Sequence, residues 1–134
     1  SKQMDRFHYE QIQSLVISFR KCLLSGTVPL IINKDCIDCE DDVQPFKASC
    51  VSVDSFGMWS LQFVPTSPYF PPEVKASTSL PAKFNVNSLI YNFGYWLMDT
   101  YSSKITDDVS WKCLINCYER CMVEKVEDRI LYFM

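Results

Sequence analysis

Apolar residues recur at three- and four-residue steps between residues 5 and 24, where Ile12, Leu15, Val16, Phe19 and Leu23 form one stripe. That spacing predicts an amphipathic helix, and Ser25-Gly26 ends it, glycine being the usual stop just past a helix. Leu30-Ile31-Ile32 then forms a short β-branched run. A turn at Asn33-Lys34-Asp35 and a return strand at Cys36-Ile37-Asp38-Cys39 predict a first β-hairpin. Cys50 to Val53 and Met58 to Val64 alternate on either side of the turn-like Asp54-Ser55-Phe56-Gly57, which predicts a second. Pro65, Pro68, Pro71 and Pro72 make residues 65–72 stiff and irregular, and residues 75–83 read as a polar loop.

A second helical stripe, Leu89, Ile90, Phe93, Trp96 and Leu97, follows Asn87 as its cap. Gly94 interrupts this helix at about 1 kcal/mol relative to alanine, so close packing is expected there. Thr106-Asp107-Asp108 opens a further helix, with Trp111, Leu114, Ile115, Tyr118, Cys121 and Met122 inside, and residues 126–134 read as a last short helix. The fold class is α+β and mainly helical, with two short β-hairpins. Residues 5–134 form a single domain, and the apolar ending at Met134 points to one excised from a longer protein.

Composition narrows the function. The chain has 134 residues, of which 48% are apolar and 22% charged. That length supports a core without disulfide or metal staples. A net charge of −3 lacks the basic stripe that nucleic-acid binding needs. No apolar run is long enough to span a membrane. Seven cysteines, an odd number, read as reduced thiols in an intracellular protein, cytoplasmic or nuclear.

The chemical candidates are weak. Cys36-x-x-Cys39 lacks the second pair of a structural zinc site, and on a strand its thiols would face opposite sides. Cys113, Cys117 and Cys121 share one helical stripe without an obvious fourth ligand, which favours packing over metal binding. His8 is the single histidine and has no nucleophile elbow to serve, so it reads as exposed and non-catalytic. No catalytic residue, metal or cofactor is assigned. Asp35, Asp38, Glu40, Asp41 and Asp42 form a dense acidic patch, a candidate docking surface for a basic peptide. Tyr69 and Phe70 join them as candidate partner-binding aromatics, with Trp59 and Tyr101 as further possible anchors.

Taken in order, several segments resemble a protein-kinase C-terminal lobe. Ile31-Ile32-Asn33-Lys34-Asp35 resembles the strand entering His-Arg-Asp, and Val53-Asp54-Ser55-Phe56-Gly57 stands near Asp-Phe-Gly with one extra residue. Tyr69-Phe70-Pro71-Pro72-Glu73-Val74 resembles the Ala-Pro-Glu segment, residues 89–97 the buried helix after it, and the stretch from Leu114 to Arg129 the closing helices. The departures decide what the resemblance implies. Asn33 and Lys34 replace the catalytic His and Arg, Glu40 stands where the magnesium-binding Asn would be, and no phosphate-cradling lobe fits in this length. The chain is therefore most similar to non-catalytic kinase C-lobe domains of the KIND type, as in the Spire actin nucleators, which bind short peptide segments of partner proteins.

The resemblance also implies an ion pair between Glu73 and Arg129. The expected function is non-catalytic protein–protein interaction in a scaffold or adaptor, through binding of a peptide. The alternative is a homo-oligomerisation module using the apolar ending and the cysteine-bearing last helix. A cysteine-dependent enzyme or a zinc-binding domain ranks behind both.

Overall fold

A computed structural model describes residues 4–63, 66–79 and 81–134. Val64 and Pro65, which end the expected second hairpin and open the proline-rich segment, lie outside the described residues. The first helix, α1 (Arg6–Ser25), follows the expected stripe. Its inner positions Ile12, Leu15, Val16 and Phe19 are buried, Asp5 caps it by accepting from the His8 N–H, and Gly26 stops it at φ +79°. That left-handed conformation suits glycine because a Cβ is unfavourable there.

Two antiparallel strand pairs form, but neither is a tight hairpin. β1 (Thr27–Pro29) pairs with β2 (Cys50–Ser52), and β3 (Met58–Leu61) pairs with β4 (Ala82–Asn85). The expected partner of residues 36–39 was the run 30–32. Instead Asn33 accepts from the Asp35 N–H and caps a single 3₁₀ turn, Lys34–Cys36. This asparagine-stabilised turn redirects the chain. Ile37 bridges to Phe46, and Leu30 N–H donates to the Ser49 carbonyl. The segment from β1 to β2 is thus one long, interrupted ribbon whose outer end is the loop 38–45. The expected polar loop 75–83 ends instead in a strand over residues 82–85, because Phe84 packs across from Trp59 at 5.6 Å between ring centroids.

The one-turn α2 (Pro72–Lys75) opens with Pro72 in its first turn, where a missing N–H costs nothing. The central helix, α3 (Asn87–Tyr101), is buried on most sides, from Ser88 and Leu89 through Phe93, Gly94 and Leu97 to Tyr101. Phe93 stacks on Phe19 of α1 at 4.5 Å. Gly94 lets α3 approach α4 (Val109–Cys121), since a Cβ there would stand 2.3 Å from the Cys121 Cβ. Asn87 is not the cap. Asn85 accepts from the Asn87 N–H, while the Asn87 amide donates to the Val126 carbonyl. Asp108 caps α4, as its position promised.

The expected helix over 126–134 is reduced to a 3₁₀ turn, Val126–Asp128, followed by extended chain. Arg129, Leu131 and Phe133 point inward and alternate with exposed Ile130, Tyr132 and Met134. Because every residue of 130–134 is apolar, the sequence carries no sign of this two-residue period. The segment is held against the helices by the Ile130 N–H donating to the Arg120 carbonyl, by Arg20 donating to the Leu131 carbonyl, and by the Cys121 thiol facing the Ile130 carbonyl.

Candidate functional site

The acidic residues come together, in part, on one wall of a groove. This groove, of about 550 Å³, runs between the N-terminal half of α1 and the loop 38–45. Phe7 and Leu15 supply apolar surface, and Glu10, Glu40, Asp41 and Asp42 supply the acidic rim. Phe7 is 65% exposed, with its ring edge-on to the neighbouring His8 ring at 5.9 Å.

The loop holds its shape through its own carboxylates. Asp38 accepts from the Glu40 N–H at 3.1 Å, and its own N–H donates to the Pro45 carbonyl at 2.7 Å. Asp41 accepts from the Val43 and Gln44 N–H groups and from Lys47 Nζ at 2.7 Å. The Lys47 ammonium and these two amides hold the Asp41 carboxyl down at about 2. Asp41 is therefore the loop's fastener, leaving Glu40 and Asp42 as its outward charges. Gln11 ties the loop to α1 by donating to the Cys39 carbonyl at 3.2 Å, and its oxygen accepts from the buried Tyr101 hydroxyl at 2.6 Å. The two walls are thus fixed relative to each other by one buried-to-exposed relay.

The other expected site residues lie elsewhere. Asp35 sits on the 3₁₀ turn, exposed, outside the groove lining. Tyr69 and Phe70, expected as exposed partner-binding aromatics, are instead buried, at 4% and 1% exposure. Tyr69 donates to Asp99 at 2.5 Å, and its carbonyl accepts from Asn92. The prolines around these aromatics fold the segment back onto α3, so the rings fill core. Trp59, paired with Phe84 across the β3–β4 ladder, and Tyr101, at the end of α3 against Trp96, are also core, each 1% exposed. Phe7, Glu10 and Gln11 were missed. The available signal was Phe7 itself, an aromatic off the inner stripe of an amphipathic helix.

His8 is half-buried rather than exposed. Its ring packs near Tyr101 and Trp111, and Nδ1 stands 3.2 Å from Asp5. Cys117 and Cys121 are buried packing thiols on α4, and Cys36 is buried while Cys39 is only half so. Among the described residues, no three His, Cys, Asp or Glu side chains converge to hold a metal ion. Among the described residues, no helix is long and apolar enough to cross a membrane.

Glu73 and Arg129 meet beneath α3. The guanidinium donates from NH1 to Oε2 at 2.6 Å and from NH2 to Oε1 at 2.9 Å, a two-pronged contact. It also donates to the Val123 and Glu124 carbonyls and lies over the Tyr91 ring at 5.0 Å. Ser88 donates to the same carboxylate. Partial burial opposes ionisation of Glu73, but the Arg129 and Ser88 hydrogen bonds outweigh it and hold the carboxyl below the ordinary carboxylate range.

Asp54 is likewise committed to structure. It accepts from the Phe56 and Met58 N–H groups, closing the turn before β3, with Lys83 at 3.7 Å. Lys34 engages α3 through its backbone, where its carbonyl accepts from Trp96 at 3.1 Å. Comparison with family models, curated proteins and solved structures finds no match to this chain.

Proposed function

We propose that this chain is a non-catalytic binding domain whose acidic groove receives a basic, apolar segment of a partner protein. The observation that carries this reading is the pairing, in one fixed concavity, of an exposed aromatic with outward carboxylates on both walls. Burial of an apolar anchor supplies most of the affinity in such a groove, and the surrounding charge steers and selects the partner. Support for the kinase C-lobe resemblance comes from the two-pronged contact of Glu73 with Arg129, which joins the segment 69–74 to the chain end across α3. Support for a non-catalytic reading comes from Asp54, whose carboxylate serves as a turn fastener for the Phe56 and Met58 amides, with Lys83 nearby. The position of the catalytic Arg is taken by Lys34, whose ammonium stands 3.9 Å from Asp99.

The test uses a fluorescein-labelled synthetic helical peptide of lysines and leucines, followed by anisotropy. Binding is expected, weakening as salt rises toward 0.5 M because exposed charges are then screened within a few Å. Glu40→Lys/Asp42→Lys should lower the affinity at least tenfold without moving the melting temperature. Equal affinity for wild type and variant would refute the groove as the site. Asp41 is left untouched in this test, since reversing it would unfasten the loop.

A further inference from the structure

The outward face of α1 carries a pattern that the core does not use. Phe7, Glu10, Ser14, Ile17, Lys21 and Leu24 are all exposed, and they follow one another at alternating three- and four-residue steps. Positions so spaced form one continuous stripe on a helix. The stripe is self-complementary when reversed. Phe7 and Leu24 are equidistant from a point midway between residues 15 and 16, and so are Glu10 and Lys21, and Ser14 and Ile17. A second copy laid antiparallel about that point sets aromatic against aliphatic at both ends, acid against base one turn further in, and a small residue against Ile17 at the centre.

We propose that two copies of this chain pair through α1, antiparallel and two-fold symmetric, with Phe7 against Leu24 and Glu10 against Lys21 of the other copy. This inference rests on the groove reading and names its occupant: the basic, apolar C-terminal half of α1 from a second copy. The surroundings agree in charge. On the far flank of that half, a depression of about 290 Å³ is lined by Ile17, Arg20, Lys21, Leu24 and Tyr132, with no carboxylate. Neither Arg20 nor Lys21 has an ion pair among the described residues. Leu24 is 89% exposed. Under the two-fold, Lys21 and Leu24 of one copy lie against Glu10 and Phe7 on the α1 wall of the other copy's groove. Glu10 already faces Arg6 at 2.8 Å, but that pair is solvent-exposed and leaves one carboxylate oxygen free, so it yields readily. A two-fold contact is met twice by each pair of residues, so a single substitution acts twice.

Sedimentation velocity from 1 to 500 μM provides the test. Wild type is expected to sediment as a dimer at the upper end, with dissociation favoured by salt. Glu10→Lys alone and Lys21→Glu alone each place like charges across the two-fold twice and should weaken dimerisation at least tenfold. The double variant Glu10→Lys/Lys21→Glu should restore it, and an equimolar mixture of the two single variants should form a heterodimer. Both substituted positions are exposed, and unchanged thermal melts verify that the variants fold.

A wild type that stays monomeric to 500 μM would overturn the proposal, as would a dimer indifferent to both single substitutions. If dimerisation fails while the lysine–leucine peptide still binds in a Glu40- and Asp42-dependent way, the groove reading stands and only the occupant is wrong. If the peptide fails as well, both fall.

Discussion

Replacing Glu73 by Gln is the most informative single perturbation of the scaffold. The substitution keeps the size and one acceptor of the side chain but removes its charge. The Arg129 side chain is fully buried at 0% exposure, whereas the Glu73 side chain keeps 30%. The cost is therefore asymmetric. Without the carboxylate's charge, a guanidinium remains in the interior with two carbonyls, the Tyr91 face and one neutral amide oxygen around it. Breaking a buried pair in this way costs about 3–5 kcal/mol, and the surviving carbonyl contacts place Glu73→Gln at the lower end, near 3.

Arg129→Met strands a carboxylate that can turn toward water, but it also deprives the Val123 and Glu124 carbonyls of their donors, at roughly 1–3 kcal/mol for such a loss. For a domain of this length about 3 kcal/mol corresponds to a fall in melting temperature of roughly 10–15 °C. Urea denaturation of wild type, both single variants and the double variant gives the coupling directly. The double variant should be less damaged than the sum of the singles by about 1–3 kcal/mol. Strictly additive costs, or single costs below about 1 kcal/mol, would refute the claim that this contact clamps the segment 69–74 to the chain end.

The same pair predicts an acid dependence: the folded carboxyl titrates below its ordinary value, so its contribution is complete above the unfolded pKa and is lost as pH falls through the folded one. Wild type should thus lose more stability than Glu73→Gln on going from about pH 5 to about pH 3, measured by urea midpoints. Asp41→Asn should loosen the loop 38–45 selectively, seen as faster amide exchange at Val43 and Gln44 with the rest of the protein unchanged. Gly94→Ala should destabilise by about 1–3 kcal/mol despite its better helix propensity, because the new methyl would overlap Cys121; a neutral or stabilising result in a thermal melt would show that α3 and α4 are not in contact there. In thiol titration Cys50, which is exposed, should react at once, and Cys117 and Cys121, which are buried, only on unfolding.

Much of the helical framework was legible in the chain. Ile12, Leu15, Val16 and Phe19 announce α1 by spacing alone, Gly26 its end, and Asp108 the start of α4, because each signal is local. Gly94 also declared its close approach, since a glycine inside an apolar helix needs a packing reason. Strand pairing was not legible. Nothing near Leu30 says that residues 27–29 will find residues 50–52, because such pairings are settled by the tertiary core and not by the run itself. Phe84 and its partner Trp59 illustrate the point: a single aromatic in a polar stretch became a strand only through a contact 25 residues away.

The site was half legible. Glu40 and Asp42 were visible as charge, but Tyr69 and Phe70 were misplaced because composition cannot distinguish a core aromatic from an anchor. The α1 wall, with Phe7, Glu10 and Gln11, became visible only when the loop was seen against it.

The central claim, that the groove between α1 and the loop 38–45 is a binding site for a basic, apolar segment, is tested most directly by a ¹H–¹⁵N NMR titration with the lysine–leucine peptide. Saturable shift changes are expected at the amides of Phe7, Glu10, Gln11, Glu40 and Asp42, with Glu73, Arg129 and the interior of α3 unmoved. Shifts that leave these groove amides untouched, or no saturable shift at millimolar peptide, would contradict it.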